Sequence, residues 1–165
     1  MRIASPMRAA ALAGCLVLLA AAGTATATPR AAHALVTVRA TSLGKVLTDG
    51  NGRTLYLFEK DRSGKSACRG SCVSFWPPLV TGAKPRGGAA VKASLLGTIR
   101  RSDGRLQVTY RGHPLYTFSL DTRPGQTKGE GLDDFGAHWY ALSPAGARVL
   151  KQTTNGGGGY PGYGP

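Results

Sequence analysis

The sequence predicts an all-β protein, a compact single domain made of two related antiparallel β units, barrel- or sandwich-like, with flexible termini. Three observations predict it. From Val36 onward, apolar residues alternate with period two between turns rich in Gly, Asn and Asp. No stretch beyond the leader sustains a 3.6-residue period. Finally, Gly52-Arg-Thr-Leu-Tyr-Leu-Phe-Glu-Lys-Asp61 returns at an offset of 60 as Gly112-His-Pro-Leu-Tyr-Thr-Phe-Ser-Leu-Asp121. The shared frame is Gly-x-x-Leu-Tyr-x-Phe-x-x-Asp. Phe75 aligns with Phe135, and Trp76 is answered by Trp139 after a three-residue insertion. A solenoid needs at least about three repeats, so two units are expected to pack face to face as one domain.

Each element has its own signal. Val36 and Val38 open the alternation, which runs on through Leu43 to Thr48. Asp49-Gly-Asn-Gly52 then turns the chain, since Asn-Gly supplies the positive φ values of a tight hairpin, and Thr54 to Phe58 returns. In the second unit Thr98 to Arg101, Ser102-Asp-Gly104 and Leu106 to Tyr110 form another hairpin. Gly112-His-Pro114 leads into Leu115 to Ser119. Within each strand Tyr and Phe stand two apart, on one face. The expected organisation is a signal peptide over 1–27 and a two-repeat β domain over 36–150. Repeat one spans 43–80 and repeat two 95–146, joined by a Gly/Pro-rich basic linker, Thr81 to Gly88. The low-complexity Gly/Tyr/Pro tail, 151–165, reads as disordered.

The start of the chain reads as an address. Met1 to Arg8 is basic, Ala9 to Gly23 is uncharged and apolar, and Thr24 to Thr28 is built of small residues. That order is a secretory signal, and its apolar run is shorter than the roughly 20 residues of a bilayer-spanning helix. Cleavage after Ala27 is expected. Leu12-Ala-Gly-Cys15 offers a second route, that of a bacterial lipobox with Cys15 lipidated. Its strongest apolar run, Leu16 to Ala20, follows the cysteine instead of preceding it, so ordinary cleavage is favoured.

Composition sets further bounds. The 165 residues include 21 Lys+Arg, 8 Asp+Glu and 24 Gly, with a formal charge of +13. Such a length excludes a large multidomain enzyme and a polytopic membrane protein. Removing residues 1–27 takes Arg2 and Arg8 and no acid, so 19 bases and 8 acids remain, +11. The basic character therefore belongs to the folded domain. Outside the cell it would meet anionic wall polymers or a membrane surface, with extracellular nucleic acid the less favoured partner. Arg100, Arg101, Arg105 and Arg111 lie around one predicted hairpin and form the candidate anion-binding patch, while Arg62, Lys65 and Arg69 crowd the cysteine turn. Cys68 and Cys72, the pair left after leader removal, should close as a disulfide in an oxidising compartment. The competing reading makes them soft-metal ligands of a copper-type or redox site, joined by His113 or His138.

The two Tyr-x-Phe-x-x-Asp blocks resemble the secreted repeat of unknown function, a family described as predicted bacterial lipoproteins with a Tyr-x-(Phe/Trp/Tyr)-x-x-Asp motif. Cys68-x3-Cys72 before Trp76-Pro-Pro-Leu79 fits the first repeat. Arg101-Ser-Asp-Gly104, Gln107-Val-Thr-Tyr110, Phe135-Gly-x-x-Trp-Tyr140 and Leu142-Ser-Pro-Ala-Gly146 fit the second. The resemblance covers roughly residues 43–146 and implies an exported β-rich domain, often lipid-anchored, without naming an activity.

Chemistry has few candidates. The motif residues Tyr56, Phe58, Asp61, Tyr116, Phe118 and Asp121 recur together. Asp61 and Asp121 read either as a metal or acid/base pair or, preferably, as carboxylates capping the turns beyond their strands. Asp49-Gly-Asn-Gly52 lacks the later ligands of a calcium loop, and Asp133-Asp134 reads as a solvated loop. His33 is expected to be mobile. No nucleophile elbow, phosphate loop, dinucleotide fingerprint or zinc-protease helix occurs, and no cofactor is expected. The function expected is that of a non-catalytic cell-envelope or secreted protein, with the metal or redox protein as the alternative.

Overall fold

Strands β1 (Leu35–Thr41) and β2 (Gly44–Asp49) pair antiparallel along their whole lengths, from Val36↔Asp49 to Thr41↔Gly44. The computed structural model describes Met1, residues 32–62 and residues 64–150. The predicted leader with Cys15, and the tail from 151, lie outside the described residues. After β2 come β3 (Tyr56–Phe58), a single helical turn α1 (Cys72–Phe75), and the two-residue strands β4 (Val80–Thr81) and β5 (Arg86–Gly87). The second unit follows with β6 (Leu96–Arg100), β7 (Leu106–Tyr110), β8 (His113–Pro114), β9 (Asp133–Asp134) and β10 (Ala137–Ala141). The β6–β7 hairpin repeats the β1–β2 hairpin. Three open sheets result, β2-β1-β5, β3-β10-β9 and β4-β7-β6 with β8 on β7, and no barrel closes among the described residues.

The units interlock where face-to-face packing was expected. Tyr56 and Tyr116, equivalent residues, exchange backbone bonds with each other, N–H to O at 2.8 Å and 3.1 Å. An antiparallel bridge between equivalents requires a local twofold axis, and the surrounding bonds obey it. Leu55 N donates to Leu47 O as Leu115 N donates to Val108 O. Glu59 N reaches His138 O as Ser119 N reaches Phe75 O. Leu142 N donates to Leu55 O as Leu79 N donates to Leu115 O. Each unit's central strand therefore pairs with the closing segment of the other.

This exchange explains why Leu55 to Phe58 is apolar at every position. Leu55 and Leu57 face one core with Val36, Leu47, Val108, Leu115 and Leu142. Tyr56 and Phe58 point the other way, into a second core with Trp76, Tyr116, Phe118 and Trp139. A strand covered on both faces has no polar side to present, and the layering is sandwich-like.

The turns differ from the sequence expectation. At Asp49–Gly52 only Gly52 takes a positive φ, +80°, with Asp49 accepting from Gly52 N and donating its own N–H to Arg53 O. That is a bulged three-residue loop. The tight two-residue turn with two positive φ values sits at Arg111 (+49°) and Gly112 (+81°) in the second unit. The one-residue difference accounts for Leu47 matching Val108 at an offset of 61 while Leu55 matches Leu115 at 60. Nor does the Gly/Pro-rich linker merely connect: β4 pairs with β7 and β5 pairs parallel with β1, so it is threaded between the hairpins.

Candidate functional site

The repeat motif converges at the twofold axis. Tyr56 Oη donates to Asp121 Oδ2 at 2.6 Å, and Tyr116 Oη donates to Asp61 Oδ2 at 2.9 Å. Each tyrosine thus binds the aspartate of the other repeat. The second carboxylate oxygens accept backbone N–H groups, Ala67 to Asp61 at 2.7 Å and Lys128 to Asp121 at 2.9 Å. Between them the rings of Phe58, Trp139, Trp76 and Phe118 form a stacked column, with the two indoles 3.9 Å apart and 5° from parallel. Tyr56 and Tyr116 stand edge-on to Trp76 and Trp139. Burial, then the Asp121 carboxylate, pushes the Tyr56 phenol far above its ordinary value; burial and Asp61 do the same to Tyr116. Both phenols remain protonated donors at any ordinary pH.

Symmetry fails around Tyr116. Its hydroxyl is 2.8 Å from Ser66 Oγ, which accepts from Arg101 Nη1 at 2.7 Å. The same Nη1 donates to Gln107 Oε1 at 2.6 Å, and Nη2 donates to Cys68 O at 2.8 Å. At the other pair, Tyr56 Oη accepts only a backbone group, Gly129 N–H at 3.3 Å. Arg101 is 7% exposed, which removes it from the anion-binding patch where the sequence placed it. Its guanidinium has five donors to satisfy and finds acceptors beneath the cysteine turn. Arg100, Arg105 and Arg111 do lie at the surface, with Arg105 bound to Asp103 at 2.8 Å.

Beside this network lies a cavity of about 660 Å³, lined by Leu57 through Arg62, His113, Gly136, Ala137 and Arg148. A smaller one of about 250 Å³ adjoins it, sharing Asp61, Arg62 and His113 and adding Arg111. Burial raises the Asp61 carboxyl to about 6, partly offset by the Ala67 N–H and by Tyr116. Burial, with the Arg111 charge behind it, lowers His113. Acid and base are both driven toward neutrality, which marks a wall where charge is poorly solvated. The cationic rim is Lys60, whose Nζ reaches Phe135 O at 3.1 Å, Arg62, bonded to Glu59 O at 2.6 Å, and Arg148, bonded to Glu59 and 5.2 Å over the Tyr140 ring.

The remaining candidates are dispersed. Cys68 and Cys72 form a disulfide, Cα–Cα 5.4 Å, and both are buried. Neither His113 nor His138 joins them, and no three His, Cys, Asp or Glu side chains converge as a metal set among the described residues. His138 is exposed beside Tyr140. His33 is held by a 2.8 Å bond between Nδ1 and Lys84 O. Asp134, read from the sequence as part of a solvated loop, accepts Trp76 Nε1–H at 3.1 Å on Oδ2 and Trp139 Nε1–H at 3.0 Å on its carbonyl. Ser66 and Arg148 escaped sequence reasoning altogether, and Gln107 entered it only as part of the second-repeat motif, with no role. None recurs in the repeat frame, and a single polar residue in a strand or loop gives no signal of what it will touch.

An all-β module with two interlocked repeats, built around exchanged Tyr–Asp pairs, is the class that fold and site define. The chain belongs to the family described as secreted repeat of unknown function, whose model matches residues 37–80 and 97–143, more than half its length. The first match begins inside β1, taking in a strand that the expected repeat boundary at 43 left out. Membership makes this an exported protein. No curated protein and no solved structure matches the chain.

Proposed function

We propose that this protein is an exported, non-catalytic binding module that holds anionic envelope polymer on its basic surface. One observation carries the reading: the fold consumes its acids. Of the 8 acidic residues, Asp49, Glu59, Asp61, Asp103, Asp121, Glu130 and Asp134 all accept hydrogen bonds from within the domain. The ion pairs described engage only Arg53, Arg101, Arg105 and Arg148 among the bases. Positive charge therefore dominates what a partner meets, more than composition alone conveys. Arg100 and Arg111, exposed on the second unit, supply part of that face; Arg101 belongs to the interior.

The test is retention on a poly(glycerol phosphate) matrix as salt rises from about 0.05 to about 0.5 M. Elution should follow salt, and Arg100→Gln with Arg111→Gln should elute earlier. Salt-independent retention, or binding confined to anionic lipid vesicles, would overturn the polymer reading. The mass of the exported protein decides whether Cys15 leaves with the leader or carries an acyl anchor.

A further inference from the structure

The twofold axis provides an internal control for what the fold itself requires. Glu59, Lys60 and Arg62 occupy the places of Ser119, Leu120 and Thr122 in the second unit. The turn itself closes alike in both, Asp61 N donating to Phe58 O and Asp121 N to Phe118 O, each at 3.1 Å, and the chains then diverge at Arg62, which pairs with Lys65. The turn closes with Leu and Thr in one copy, so its backbone bond does not itself require two cations in the other, where Lys60 reaches Phe135 O and Arg62 reaches the carbonyls of Glu59 and Asp61. Exposure differs in parallel. Asp121 is 2% exposed, whereas Asp61 is half-buried and lines both cavities. Two turns bordering the cleft also hold non-glycine residues at positive φ, Arg111 at +49° and Phe135 at +57°, whose carbonyl takes the Lys60 ammonium.

Resting on the anion-binding reading above, we propose that the cleft between β3, β8 and the β9–β10 turn is a specific site for a hydroxylated oxyanion, a phosphate-bearing polyol or sugar unit. Arg62 and Lys60 offer N–H donors to the oxyanion, Arg62 as a planar fork and Lys60 as a point charge. Asp61 keeps one face toward the cavity and accepts from a ligand hydroxyl, while Tyr116 and Ala67 fix its position from behind. Neutral His113 on the opposite wall can donate or accept toward a second hydroxyl. Leu57 and Ala137 give the carbon skeleton an apolar floor. A volume of about 660 Å³ suits a ligand of one or two such units.

The experiment titrates the full exported chain with sn-glycerol 3-phosphate, poly(glycerol phosphate), inorganic phosphate and glycerol, followed by calorimetry and amide shifts. Glycerol 3-phosphate should bind at least about tenfold tighter than inorganic phosphate, with shifts at 57–62 and 113. Affinity per unit that rises in the polymer assigns the source to a wall chain; equal affinity assigns it to the free ester. Lys60→Leu with Arg62→Thr installs the residues that the second unit already carries; it loses the bonds to the Phe135, Glu59 and Asp61 carbonyls but should still melt cooperatively, while binding weakens at least about tenfold. Unchanged binding by that variant, or inorganic phosphate matching the ester, would overturn the cleft. Salt-sensitive polymer retention surviving such a result would leave the surface reading standing by itself.

Discussion

Asp61 carries the sharpest consequence at the scale of a residue. Its carboxyl sits at about 6 in the folded protein against 3.8 unperturbed, chiefly through burial. The folded state therefore binds the proton more tightly than the unfolded chain does. Between pH 4 and 6 the folded form is the more protonated, so this contribution is full below about 4 and is lost as pH rises through 6. The full shift corresponds to at most about 3 kcal/mol. Melting followed from pH 4 to 7 should show stability falling with pH, and Asp61→Asn should flatten that slope. A slope that Asp61→Asn leaves unchanged would place the cause elsewhere, Asp121 being the first suspect because burial raises it too. Sequence showed that these two aspartates matter, since they recur in a chain poor in acids. It did not show their partners, because the recurrence is within repeats and the hydrogen bonds run between them.

Among the elements, the turns divide what a sequence can disclose from what it cannot. The β6–β7 hairpin and the β3 strand were readable from alternation and turn residues, since those signals are local, whereas the reversal between β1 and β2 at Thr41–Gly44 was read as one continuing alternation. The bulged loop at Asp49–Gly52 was misread as a tight turn because Asn51-Gly52 favours two positive φ values, whereas Asp49 Oδ1 holds Asn51 N–H and Arg53 N–H at 2.9 Å and keeps Asn51 out of that region. The true tight turn contains Arg111, a residue without that preference. Arg111→Asn should therefore stabilise the fold by about 0.5–1 kcal/mol, measured in urea. A loss of stability would mean that the Arg111 bond to Ala145 O outweighs the relieved backbone. The cleft had no local signature either: Lys60 and Arg62 look like ordinary solvated charges until the second unit shows Leu120 and Thr122 in their places.

For the whole molecule, interlocking makes each unit depend on the other. The first unit alone would expose Tyr56 and Phe58, 0% and 2% accessible in the domain, and leave the β3 edge unpaired. Chains cut at Ala89–Ala90, within the described connection between units, should show no cooperative melt separately and should recover one when mixed. A first half that melts cooperatively unaided would contradict strand exchange as the basis of the fold. The column at the axis has an optical consequence as well. The chain has 2 tryptophans, one from each unit, and the domain places their indoles parallel at 3.9 Å. At that separation their excited states couple, so circular dichroism in the intense far-ultraviolet absorption of indole should carry a split signal that belongs to the pair and to neither ring alone. The molecule contains its own reporter of whether its halves are joined, with no label required.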